Sequence, residues 1–211
     1  LLEDLFDGEE IETLVIAEND DKTISQSLGS SAVKQQSERF SYQSDLGEGA
    51  YGKVWKAADG DIGRSVAVKS YKYSGQAGHR LLTLETKIAG KIDHPNVPAL
   101  YDVKKSEDDQ YHVIMKYVQG ETLESIINKL RAGDPETLAK YRFEQRSELM
   151  VQILRALSAA HAKGIVHRDI KAENIMVGCS GEAYLMDWGI ALDLKESNGA
   201  GQLAGTPRYM S

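Results

Sequence analysis

His167-Arg168-Asp169-Ile170-Lys171-Ala172-Glu173-Asn174 sets four formal charges, a histidine and an amide within eight residues. It follows directly on Gly164-Ile165-Val166, where a glycine closes a helical stretch and two apolar residues begin an extended one. Asp169 can accept a hydroxyl proton, Lys171 can neutralise a transferring phosphoryl group, and Asn174 can offer an oxygen to a metal. Mixed charge is common in loops, so spacing to other residues has to decide. Thirteen residues after Asn174 stands Asp187-Trp188-Gly189, preceded by Tyr184-Leu185-Met186, which puts an aspartate at a strand end. One Asp and one Asn give hard oxygen ligands, and with nucleotide phosphates completing the shell they suit Mg2+.

Upstream, Gly47-Glu48-Gly49-Ala50-Tyr51-Gly52 lacks the Cβ atoms that keep backbone amides away from phosphate oxygens. Val54 and Trp55 continue as an extended segment, so the glycines form the turn of a hairpin and do not open a helix as a dinucleotide site requires. Taken alone, a glycine-rich hairpin without a ligand is the lesser alternative. Val66-Ala67-Val68-Lys69 and His112 to Val118 read as strands, with Ala67 and Lys69 on one face. Between them Leu81, Leu84, Ile88 and Ile92 recur at helical spacing until Pro95, and Glu85 falls inside that apolar stripe. A buried charge is costly unless paired, so Lys69 is expected to meet Glu85; an exposed lysine with a boundary glutamate is the plainer alternative.

After Gly120 the pattern turns helical. Leu123, Ile126, Ile127 and Leu130 predict a helix that stops near Gly133. Residues 133 to 146 read as a charged surface excursion, and a second helix is expected from Ser147 as N-cap, with Met150, Ile153, Leu154 and Leu157 on one face until Gly164. The order predicts an α+β chain: an acidic, Ser-rich tail at 1–39, a strand-rich part at 40–118 and a helical part at 119–211. Ten acids and two bases in residues 1 to 38 account for the net charge of −7; the rest holds 22 acids and 23 bases, which argues against nucleic-acid binding. No apolar run approaches the roughly 20 residues of a membrane span. The single Cys179 allows no internal disulfide and predicts a reducing, cytoplasmic setting.

The ordered set of motifs resembles a eukaryotic-like serine/threonine protein kinase from Phe40 to Ser211, with a bacterial style in Asp-Trp-Gly and the 133 to 146 insert. The resemblance implies a bilobal fold, ATP and Mg2+ (or Mn2+) as cofactors, and a protein Ser/Thr hydroxyl as phosphate acceptor. It implies that Gly47, Gly49 and Gly52 cover the ATP phosphates beside Leu46, and that Lys69, held by Glu85, contacts them. Val54, Ala67 and Met176 would sandwich adenine, Met115 would close the back of the pocket, and Lys116, Tyr117 and Val118 would form the hinge. Asp169 would be the catalytic base, Lys171 would steady the γ-phosphate, and Asn174 with Asp187 would hold the metal. Lys171 two places after Asp169, and Gly205-Thr206-Pro207-Arg208-Tyr209 as docking loop, match the serine/threonine type.

Trp188 stands where the family usually has Phe, and Ala172 where Pro is common. Arg168 is expected to receive an activating phosphate on Ser197 or, as second choice, Thr206. A pseudokinase that binds ATP without transfer is the alternative; it usually loses Lys69, Asp169 or Asp187, and all three are present. A small-molecule kinase is disfavoured by the full glycine loop, Lys171 and the docking segment. The family pattern also implies an Ala-Pro-Glu-type segment at about Ser211 and helices beyond it. The chain is therefore expected to be a fragment with a truncated helical lobe, exposed apolar helix faces and poor activity alone.

Overall fold

Five short segments of alternating or β-branched residues pair into one antiparallel sheet. In the computed structural model, which describes residues 39–48, 52–106, 109–196 and 205–206, they are β1 (Phe40–Glu48), β2 (Gly52–Asp59), β3 (Arg64–Ser74), β4 (Leu100–Lys105) and β5 (Gln110–Lys116). Their order in the sheet is β1-β2-β3-β5-β4. β3 is central, so Val66, Ala67, Val68 and Lys69 are all buried rather than alternating. The register sets Gly52 opposite Tyr71 and Val54 opposite Lys69. A Cβ on Gly52 would come within 2.2 Å of the Ser70 carbonyl oxygen, so the hairpin approaches β3 there only because no side chain intervenes. Gly49 lies outside the described residues, as do residues 1–38. Arg39 is fixed to the sheet by two hydrogen bonds, 2.9 and 3.0 Å, to the carboxylate of buried Asp59.

Against the sheet lies α1 (Gly75–Lys91), which buries Leu82, Glu85 and Ile88, with Ile92 just past its end. Leu84, read from the sequence as part of that face, is 43% exposed. The inward face is the one that carries Glu85 toward the sheet, and that selects Leu82 in place of Leu84. The helix ends four residues before Pro95, where the Ile92 amide turns back to the Ala89 carbonyl. Its C-terminal end is tied down twice. Lys163 Nζ donates to the Lys91 carbonyl, and Lys91 Nζ reaches Asp193 at 2.8 Å and Glu196 at 2.6 Å.

Beyond the sheet come β6 (Gly120–Thr122) and α2 (Leu123–Arg131), whose first turn is capped by the Thr122 hydroxyl accepting from the Ser125 amide. Residues 133 to 146 are not a plain surface excursion, because they contain α3 (Pro135–Lys140). The Asp134 carboxylate caps it, accepting from the Thr137 amide at 2.8 Å, and Pro135 occupies the first helical turn. α4 (Phe143–Ala162) begins four residues before Ser147, which is an interior residue and not the cap. Then follow β7 (Ile165–Val166), a 3-10 turn at Ala172–Asn174, β8 (Ile175–Gly178), β9 (Ala183–Leu185) and β10 (Leu192–Asp193).

α4 packs on β7 and β9 through Leu149, Ile153, Ala156, Leu157 and Ala160. Met150 and Leu154, expected on that face, are 47% and 58% exposed. The alanines at 156 and 160 let the strands approach closely and so rotate the buried face away from the two larger side chains. The helical part holds its own core, in which Ile126, Ile153, Ile165, Leu185 and Trp188 are joined by Ile88 of α1. Among the described residues no helix is long and apolar enough to cross a membrane.

Candidate active site

Lys69 leaves the buried centre of β3 and meets Glu85 of α1, Nζ lying 2.9 Å from Oε1 and 2.8 Å from Oε2. Its third proton goes to Asp187 Oδ1 at 3.1 Å, so the ammonium is fully committed. Burial pulls the Lys69 pKa down, but attraction to Glu85 and Asp187 outweighs it and the ammonium is held above its ordinary range. Tyr71, two residues along the same face of β3, donates to Glu85 Oε2 at 2.6 Å. A Cβ on Gly189 would stand 3.3 Å from Asp187 Oδ1 and 3.4 Å from Glu85 Oε2, so a glycine there leaves this ion cluster its room.

The opposite wall is the turn between β7 and β8. Arg168 (φ +66°) and Asp187 (φ +54°) both adopt the left-handed region, a strained state for a non-glycine residue that surrounding contacts must hold. The fully buried His167 supplies them. Its Nδ1 accepts from the Asp169 amide at 3.2 Å, and its Nε2 donates to the Met186 carbonyl at 2.9 Å. The ring stands edge-on to Trp188 with centroids 4.5 Å apart, and Trp188 Nε1 donates to the Leu185 carbonyl. The large aromatic at position 188 thus packs into the core and buttresses the histidine. Arg168 Nε donates to the Ile190 carbonyl at 2.7 Å, linking the turn to the segment after Gly189.

Asp169 collects donors on both oxygens. Thr206 donates to Oδ1 at 2.5 Å, while Lys171 (2.8 Å) and the Asn174 amide (2.9 Å) approach Oδ2. Burial raises the Asp169 pKa, yet the bonds from Lys171, Thr206 and Asn174 outweigh it and keep the carboxylate ionised below its usual range. Lys171 also donates to the Thr206 hydroxyl at 3.0 Å. Both amide hydrogens of Asn174 are spent on Asp169, one on its carboxylate and one on its carbonyl, so Oδ1 is the atom Asn174 has left to offer.

The two walls enclose a cleft of about 450 Å³ lined by Val54, Lys69, Glu85, Met115, Asp169, Lys171, Asn174 and Asp187, with Gly52 at its roof. It opens into a second cavity of about 380 Å³ bounded by Leu46, Gly47, Ala67, Lys116, Tyr117, Val118 and Met176. Val54, Glu173 and Met186 line both. The apolar compartment suits a flat heterocycle and the charged one suits phosphates. Asp187 and Asn174 line the charged compartment, and their oxygens are of the kind that fits a hard divalent cation, although among the described residues no group of three or more His, Cys, Asp or Glu is placed to hold one. Ser197 lies outside the described residues, so its relation to Arg168 is not seen. Sequence reasoning missed Met186, Tyr71 and the tying role of His167. A tyrosine on the lysine's face of a buried strand was the one available signal for Tyr71.

Comparison with known proteins agrees with this geometry. The family described as the protein kinase domain matches residues 40–211. Serine/threonine-protein kinase PknD of Protochlamydia amoebophila is 32% identical over 196 residues, covering 89% of this chain and 20% of that protein. Serine/threonine-protein kinase PAK mbt of Drosophila melanogaster is 32% identical over 175 residues (82% of this chain, 26% of that protein). Serine/threonine-protein kinase PknA of Mycobacterium tuberculosis is 30% identical over 182 residues (82% and 40%). The chain therefore spans between a fifth and two fifths of these relatives' length. With a match over most of its residues and a cleft built as the motifs imply, the chain belongs to the protein kinase domain family.

Proposed function

We propose that the chain carries the catalytic site of a serine/threonine protein kinase, which moves the γ-phosphoryl group of ATP to a protein Ser or Thr hydroxyl. The observation that carries this reading is one cleft in which Lys69 and Glu85 face Asp187 and the Asp169–Lys171–Asn174 cluster. The substrate hydroxyl oxygen bonds to the γ-phosphorus, the bond from that phosphorus to the bridging oxygen of ADP breaks, and the hydroxyl proton passes to the Asp169 carboxylate. Lys171 offsets the charge on the transferring group, and Lys69 holds the remaining phosphates. Gly47, Gly49 and Gly52 cover those phosphates, and Leu46, Val54, Ala67, Met115, Met176 and the 116–118 segment receive the base. Mg2+, or Mn2+ in its place, held by Asp187 and Asn174 Oδ1, neutralises the β and γ phosphates when bound.

Ser197 is the better candidate for an activating phosphate, received by Arg168, because the Thr206 hydroxyl is directed at Asp169 and a phosphate there would face a carboxylate. The lone, exposed Cys179 supports a reducing, cytoplasmic setting. The test is transfer of radiolabelled γ-phosphate by the complete protein to generic protein substrates and to small-molecule alcohols, with Asp169→Ala as control. Transfer to Ser/Thr of proteins that is lost in D169A is expected. Nucleotide binding without transfer, or transfer to small molecules alone, would overturn the reading.

A further inference from the structure

Glu85 does not face Lys69 alone. Its Oε2 accepts from Lys69 at 2.8 Å and from the Tyr71 hydroxyl at 2.6 Å, the shortest contact in the cluster. Tyr71 is 2% exposed, walled in by Leu82 and Val113 with Tyr111 and Met115 beside them, so its hydroxyl has no route to water and is aimed at one acceptor. Burial and the neighbouring Glu85 carboxylate push the phenol's pKa far up, so it stays a donor at every working pH. Its backbone lies opposite Gly52, and its side chain ends on α1, so one residue spans the root of the glycine hairpin and the helix.

Lys69 has three protons and all are engaged, two on Glu85 and one on Asp187 at the longest distance of the set. To take a nucleotide phosphate oxygen Lys69 must release one partner. Asp187 is the one to go, provided Glu85 stays where it is. We infer that Tyr71 is a positioning residue that pins the Glu85 carboxylate, so that Lys69 exchanges Asp187 for a nucleotide phosphate while keeping its grip on α1. The inference rests on the reading of the cleft as an ATP site, and it selects for phosphates and not for the base.

The experiment compares the complete wild-type protein with Tyr71→Phe, which keeps the ring and its packing, by calorimetric titration with two probes. One is a non-hydrolysable ATP analogue with Mg2+; the other is adenosine, which carries no phosphate. Y71F is expected to bind the analogue about ten-fold or more weakly, as befits loss of one buried bond to a charged group, and to bind adenosine as wild type does. In a Glu85→Gln background the same Tyr71→Phe change should add little, since the two act as a unit. Equal analogue affinity in wild type and Y71F overturns the inference. Equal loss for analogue and adenosine also overturns it, because that is what loosened packing gives. If Y71F melts too early to titrate at room temperature, both proteins are titrated in the cold, where Y71F is folded: selective loss of analogue affinity supports the inference and an unchanged affinity sinks it. Wild type that binds the analogue but transfers no phosphate defeats the kinase reading and leaves the Tyr71 result standing.

Discussion

Asp169 draws three side-chain donors onto two oxygens, and these outweigh the upward pull of burial and hold its pKa below the usual carboxylate range. In the role of base proposed for it, Asp169 gains from being ionised and aimed. Asp169→Ala should lower kcat by about 10² to 10⁴ with a smaller change in the KM for ATP, read by steady-state kinetics. His167 has the opposite task, because it is useful only while neutral: Nδ1 must accept from the Asp169 amide. Burial, only partly opposed by the Met186 carbonyl, holds its pKa below the ordinary value. The unfolded chain takes up this proton as pH falls through about 6.5 and the folded chain does not, so His167 lends stability above that pH and withdraws it below. Urea melts between pH 7 and 5 should show stability falling, and His167→Asn should flatten part of that slope.

At the scale of elements, the residues that set a helix face are not always the largest. Ile153 is buried in the main core and Leu154, one step round α4, is 58% exposed. Ile153→Ala should cost about 2 to 5 kcal/mol in denaturant melts, and Leu154→Ala should stay within about 0.5 kcal/mol. Asp134→Ala removes the cap of α3 and should cost about 1 kcal/mol. These cases also mark where the sequence ceased to be legible. Short motifs such as His167 to Asn174, Asp187 to Gly189 and the glycine hairpin name their residues directly, because the chemistry demands those side chains. α3 went unread because it has cap signals but no apolar stripe, and periodicity looks for stripes. Leu84 and Leu154 were misassigned because several phases fit a leucine-rich run, and only the neighbouring strand decides among them. Tyr71 shows its face of the strand but not its role, because its partner Glu85 is fourteen residues away and on another element.

For the whole molecule, the cleft proposed for the nucleotide is lined from the sheet by Lys69 and from the later turns by Asp169 and Asp187, so a ligand bound there bridges both. A non-hydrolysable ATP analogue with Mg2+ at about 100 times its Kd should add about 2.7 kcal/mol to stability, and Asp187→Asn should remove the Mg2+-dependent share. Differential scanning calorimetry with and without metal checks this. α1 is fastened at its middle and at its C-terminal end, by unlike means. Glu85 is held inside protein, with Lys69 and Tyr71 both under 10% exposed, whereas of the two partners of Lys91 only Asp193 is buried and Glu196 is 63% exposed. Counter-ions reach the second and not the first, since screening shortens to about 3 Å at 1 M salt and buried pairs feel little of it. Ionic strength is therefore a dial on one end of the helix. Raising it should speed amide hydrogen exchange at Lys91 and Ile92 while Glu85 and Ile88 stay protected, so that α1 pivots about its buried glutamate rather than leaving the sheet.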